Sequence, residues 1–189
     1  MMAAMWKREP SGGEGGLLSF ERLLLPHLSA AYNLARWLTR NDQDAEDLVQ
    51  EAYLRALKSF DAFRGGDGRA WLLTIVRNTC YTWLQQNRWN ERTTPFDEEI
   101  HNAQDEAPSP ETLLLRSADS ELVKNALQEL ALEFREVLIM RELEGLSYKE
   151  IATVAGIPIG TVMSRLARAR RRLQQVLATG TEPEALSVM

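Results

Sequence analysis

The sequence has a single cysteine, Cys80, so no internal disulfide can form. Its two histidines, His27 and His101, lie far apart, which leaves no Cys/His set for a metal. No metal and no cofactor are therefore expected. Long hydrophobic runs are also missing: no window approaches the ~20 apolar residues that would span a bilayer. The first 16 residues, MMAAMWKREPSGGEGG, contain no apolar run of the signal-peptide kind, so a cytoplasmic location is expected. The glycine cluster Gly65-Gly66-Asp67-Gly68 lacks the lysine and the spacing of a phosphate-binding loop. No nucleophile set or working carboxylate pair stands out; Glu98 and Glu99 are adjacent but fall in a linker-like stretch. The expectation is a protein that is not an enzyme.

What is present is a charge pattern. The chain of 189 residues is 44% hydrophobic and 26% charged, as in ordinary globular proteins, with a net charge of -5. That net acidity argues against nucleic-acid binding until it is resolved along the chain. Residues 96–121 hold Asp97, Glu98, Glu99, Asp105, Glu106, Glu111, Asp119 and Glu121 against Arg116 alone. Beyond Gly156 the balance reverses: five arginines stand between positions 165 and 172, and no acid occurs before Glu182.

Apolar residues recur with the 3.6-residue period of helices, and no strand pattern emerges. Leu23, Leu24, His27, Leu28, Ala31, Leu34, Ala35 and Leu38 form one stripe. Ala45, Leu48, Val49, Ala52, Tyr53, Ala56, Leu57 and Phe60 form a second, with Asp42 or Asp44 as its expected N-cap. After the glycine break, Trp71, Leu72, Ile75, Val76, Thr79, Cys80, Trp83 and Leu84 form a third. In the second half, Leu122, Val123, Ala126, Leu127 and Leu130 share a face, continued by Phe134, Val137, Leu138 and Leu143. The fold class is all-α: two small helical domains joined by an acidic flexible linker. The expected parts are a leader at 1–16, a domain at 17–95, a linker at 96–118 interrupted by Pro108 and Pro110, a second domain at 119–178 and a tail at 179–189.

The most informative stretch is 147–177, SYKEIATVAGIPIGTVMSRLARARRRLQQVL. Ser147 and Glu150 have capping-box spacing, Gly156 suits a left-handed helix end, and Pro158 blocks continuation. A second helix is expected to start near Gly160, with Val162, Leu166, Ala169, Leu173 and Val176 inward. Thr161, Ser164, Arg165, Arg168, Arg171 and Arg172 are assigned to its polar side. A capped helix, a short turn and an arginine-rich helix make a helix-turn-helix suited to the DNA major groove. Thr161, Ser164, Arg165 and Arg168 are expected nearest the bases, and Arg171 and Arg172 nearer phosphates. If Arg165 reads a base, Arg165→Ala is expected to weaken binding by about 1–3 kcal/mol.

The segment FREVLIMRELEGLSYKEIATVAGIPIGTVMSRLARARRRL, residues 134–173, resembles region 4 of the extracytoplasmic-function (ECF) sigma factors, of the bacterial sigma-70 family. DAEDLVQEAYLRALKSF (44–60) and FRGGDGRAWLLTIVRN (63–78) resemble their region 2. The resemblance implies a subunit that joins core RNA polymerase and directs it to promoter DNA. It implies that Asp47, Gln50, Glu51 and Arg55 meet the polymerase β′ subunit, with the β subunit also engaged. It further implies that the helix carrying Arg77, Asn78, Thr79 and Tyr81 meets the melted −10 element. Arg77, Tyr81, Arg88, Trp89 and Arg92 offer the cations and stacking rings that hold single strands. The −35 element falls to the helix-turn-helix. An anti-sigma factor is an implied partner.

Two departures from the family pattern stand out. Thr82 replaces an acid, with Gln85, Gln86 and Asn87 where a basic run is common, which weakens local attraction to phosphate. Ala131-Leu132 stands where a proline pair is usual. The competing assignment is a helix-turn-helix repressor or response-regulator output module acting without polymerase. It accounts for 147–177 but not for the stripe at 44–60. Cys80 and His27 are expected to be packed rather than functional, as are Trp71 and Trp83.

Overall fold

The structure is a computed structural model that describes residues 14–93 and 112–180, with side chains over 18–87 and 121–178. Every regular element among the described residues is helical, as the periodicity requires. The chain forms two compact units, 1–80 and 81–189.

The first unit contains α1 (Glu14–Leu24), a 3-10 turn (Leu25–His27), α2 (Leu28–Thr39), α3 (Asp42–Ser59), a second 3-10 turn (Phe60–Ala62) and the start of α4 (Gly68–Thr93). Its core joins Leu24, Leu34 and Leu38 to Ala45, Leu48, Val49 and Ala52 of α3 and to Leu72, Leu73 and Val76 of α4. Phe60 meets Phe20 edge-on at 5.3 Å, and Phe63 packs against Trp71 at 5.0 Å. Trp71 and Trp83 are half-buried rather than enclosed. Leu28 and Leu57, expected inward, are 47% and 43% exposed. A stripe of eight positions is wider than the neighbouring helices cover.

The cap of α3 also differs from expectation. Asn41, in extended conformation, accepts from the Asp44 amide at 3.0 Å. Asp42 is already helical, and its carboxylate pairs with Arg36. Between α2 and α3 the chain turns through Arg40, which holds φ 64°, the one positive φ among described non-glycine residues. Asp67 caps α4 by accepting from the Arg69 and Ala70 amides at 2.9 and 3.2 Å. Gly68 follows it because a Cβ there would stand 2.8 Å from the Leu23 side chain.

The second unit takes the end of α4 and contains α5 (Thr112–Glu129), α6 (Leu132–Leu138), a π turn (Ile139–Leu143), α7 (Tyr148–Ala155) and α8 (Ile159–Gly180). Residues 112–118, read from composition as linker, are the first turns of α5. Leu130, Ile139, Met140, Leu146, Ile151 and Leu166 are almost fully enclosed. Val123 and Leu143, expected inward, are 41% and 54% exposed. The π turn inserts an extra residue, which rotates Leu143 off the helical stripe that α6 begins. Gly145 then reverses the chain at φ 65°, and the Leu146 amide bonds to the Met140 carbonyl at 2.9 Å.

Candidate nucleic-acid interface

The helix-turn-helix is built as its residues dictate. Ser147 Oγ accepts from the Glu150 amide at 3.2 Å, and Glu150 accepts from the Ser147 amide at 2.6 Å. This reciprocal pair satisfies two amides that no helical carbonyl can reach. Gly156 ends α7 in the left-handed region at φ 65°, and the Ile157 amide reaches back to the Ala152 carbonyl at 3.1 Å. Helix α8 starts at Ile159, one residue before the expected position. Val162, Leu166 and Ala169 are buried, whereas Leu173 and Val176, further along, are half-buried.

The register of α8 alters the assigned polar face. Ser164, Arg168, Arg171 and Arg172 are exposed, and Thr161 is half-buried. Arg165 is turned toward the core: its Nη1 donates to Glu136 Oε1 at 3.3 Å, and its side chain is only 26% exposed. Glu136 itself is fully buried, and its other oxygen accepts from the Tyr81 hydroxyl at 2.8 Å. A carboxylate without water needs such partners, because burying an unpaired charge costs several kcal/mol. Arg165 thus serves as the counter-ion of Glu136, with part of its side chain still at the surface. On a wheel of ~100° per residue, position 165 flanks the 162–166–169 stripe, while 160, 163, 164, 167, 168 and 171 face away. Met163 and Ala167, both exposed, were missed because apolar residues were not considered for a polar face. The wheel drawn from the centre of the buried stripe would have found them. Arg170 also has a local partner, Glu142, at 2.7 Å.

Helix α4 carries the second set of candidates. Arg77 is half-buried and Asn78 exposed. Thr79 is 2% exposed, with its hydroxyl donating to the Ile75 carbonyl at 2.9 Å. It faces the core and cannot meet DNA, which corrects its inclusion. Tyr81 is half-buried, with its hydroxyl engaged by Glu136. The side chains of Arg88, Trp89 and Arg92 lie outside the described residues. Cys80 is enclosed, and burial pushes its thiol up to about 12. Almost no reactive thiolate exists there near neutral pH.

On α3, Asp47, Gln50, Glu51 and Arg55 are all exposed, as their positions off the stripe require. Arg55 Nε donates to Glu51 Oε1 at 2.7 Å, and this bond holds the Glu51 carboxyl below its ordinary range. Among them stands Leu54, 54% exposed, at a turn's spacing from Gln50 and Glu51. No helix among the described residues is long and apolar enough to cross a membrane, and no cluster there could hold a metal ion.

Comparison with known proteins assigns both units. The family model for sigma-70 region 2 matches residues 23–90, and that for sigma-70 region 4 matches residues 120–173. The ECF RNA polymerase sigma factor SigE of Mycolicibacterium smegmatis is 32% identical over 179 residues, covering 95% of this chain and 69% of that one. The RNA polymerase sigma-H factor of Pseudomonas aeruginosa is 33% identical, covering 86% of this chain and 88% of its own. Among solved structures, the sigma factor RpoE of Bartonella quintana, in complex with the anti-sigma factor NepR, superposes with a TM-score of 0.67 at 33% identity. The match covers 85% of this chain and 97% of that one. Neither a repressor nor a response-regulator module explains a region-2 match ahead of the helix-turn-helix, and the chain belongs to the ECF sigma factors, transcription initiation factors of the sigma-70 family.

Proposed function

We propose that this chain binds core RNA polymerase in the cytoplasm and, with no catalysis of its own, selects the promoters at which transcription starts. The observation that carries this reading is the outward face of α8. Ser164, Arg168, Arg171 and Arg172 are exposed on it, and no acid occurs from 157 to 178. Such a face draws in a phosphate backbone and offers donors to guanine edges, the needs of a −35 reader. The second domain, 119–178, supplies this contact.

Residues 17–95, taken as one functional domain although the compact units divide after Cys80, hold the other two surfaces. Asp47, Gln50, Glu51 and Arg55 of α3 dock on the β′ subunit, with Leu54 as an apolar centre within a charged rim. Arg77, Asn78 and Tyr81, continued by Arg88 and Arg92, meet the opened −10 strand. For Tyr81 this requires release of its hydroxyl from Glu136. Because RpoE of Bartonella quintana is seen with an anti-sigma factor, a protein of that class is the proposed inhibitor of this chain too.

Run-off transcription with purified bacterial core polymerase on a promoter library tests the reading. Promoter-specific transcripts that depend on this protein are expected. No transcript, together with no binding to core, would overturn it.

A further inference from the structure

The face that α8 turns outward is not purely polar. Ile159 is 46% exposed and Met163 is 53% exposed, one turn apart, with Ala167 exposed a further turn on. Isolated apolar residues on a surface are ordinary. Here three follow one another along one edge of a helix whose other edge carries Ser164, Arg168 and Arg171. The centre of the same face is Gly160, where a Cβ would meet nothing within 4 Å. Packing within the protein does not call for glycine at this position. Bare backbone there lets another molecule come close to the start of α8.

Charge decides the class of that molecule. Arg168, Arg171 and Arg172 are exposed beside the strip, and the stretch 157–178 has no acid. The occupant is therefore polyanionic and offers apolar groups at its surface. Duplex DNA has one such group in the major groove, the C5 methyl of thymine. A methionine suits it: the side chain is long and adaptable, and its thioether is only a weak acceptor, so it selects by contact rather than by hydrogen bonding.

Resting on the −35 role proposed above, we infer that Met163 seats against a thymine methyl, so that this chain selects −35 elements with a thymine opposite the first turns of α8. Ile159 and Ala167 exclude water on either side of that contact. Ser164 and Arg168 bond to the neighbouring base edges and fix the register.

Deoxyuridine, which is thymine without the methyl, isolates the contact. The full chain is combined with bacterial core polymerase, and the preferred −35 sequence is selected from a randomised library by transcription. Each thymine of that element is then replaced by deoxyuridine in turn, and binding is measured by competition. For the unaltered chain, one replacement is expected to weaken binding about three- to fivefold, the effect of one buried methyl. With Met163→Ala the same replacement is expected to change nothing, while binding to the parent duplex falls by a similar factor. Met163→Leu retains the discrimination. Met163 is exposed, so the variants fold, which an unchanged thermal midpoint verifies. Identical deoxyuridine profiles for the unaltered chain and Met163→Ala would overturn the inference, as would a preferred element without thymine. Loss of core-polymerase affinity in Met163→Ala, with promoter preference unchanged, would assign the strip to a protein partner and overturn it equally. Absence of any promoter-dependent transcript would instead fail the sigma-factor reading itself.

Discussion

Two helices present solvated faces built by the same rules and suited to different partners. On α3 the outward residues carry both signs: Glu51 and Arg55 neutralise one another at 2.7 Å, and an exposed Leu54 lies among them. On α8 the arginines at 168, 171 and 172 stand exposed with no acid on their own helix. Mixed charge around an apolar centre favours docking to a folded protein, where polar groups give register and the apolar group gives affinity. Uniform positive charge favours a phosphate backbone. The chain's net charge of -5 hides this division entirely. Where the charge lies matters more than its sum.

The largest effect is expected at the carboxylate beneath α8. Glu136→Ala removes the buried acceptor of both Arg165 and Tyr81 and is expected to destabilise the second unit by about 1–3 kcal/mol. Faster amide exchange along α8 would show it, and unchanged exchange would contradict it. Arg165→Ala is expected to destabilise the same unit, whereas a residue used only to read bases would leave stability unaltered. Arg168→Ala keeps the fold and is expected to weaken −35 duplex binding by about 1–3 kcal/mol. If that variant binds as the unaltered chain does, the outward face of α8 has been wrongly assigned. Glu51→Arg, on the other helix, is expected to lower core-polymerase affinity about tenfold while leaving duplex binding intact; a loss of both would erase the distinction between the faces. Ser147→Ala removes the capping box of α7, with an expected cost of about 1 kcal/mol in denaturant unfolding and no change in sequence preference. Smallest is the effect of iodoacetamide at pH 8. Burial leaves Cys80 almost wholly protonated, so labelling is expected only after denaturant is added.

Much of this was legible in the sequence. The helical periods, the capping box at Ser147 and Glu150, the left-handed Gly156 and the resemblance to both sigma regions all held. What failed did so where tertiary contact overrides local pattern. Arg165 looks like any other arginine of its run until Glu136, 29 residues earlier, is seen to be buried beneath it. Leu57 and Leu143 fit their stripes but have no neighbour to cover them. The π turn shifts the register of the residues after α6, and nothing in IMREL marks it. Asp42 and Asp44 have the composition of a cap, but both are already helical, and it is Asn41 that has the extended backbone a cap requires.

The most direct test of two faces serving two partners is a footprint of a selected promoter, made with the chain alone, with core polymerase, and with Arg168→Ala in place of the unaltered chain. We expect no stable footprint without polymerase, two protected patches with it, and loss of the upstream patch alone in the variant. A single symmetric footprint formed by the chain without polymerase would contradict the account.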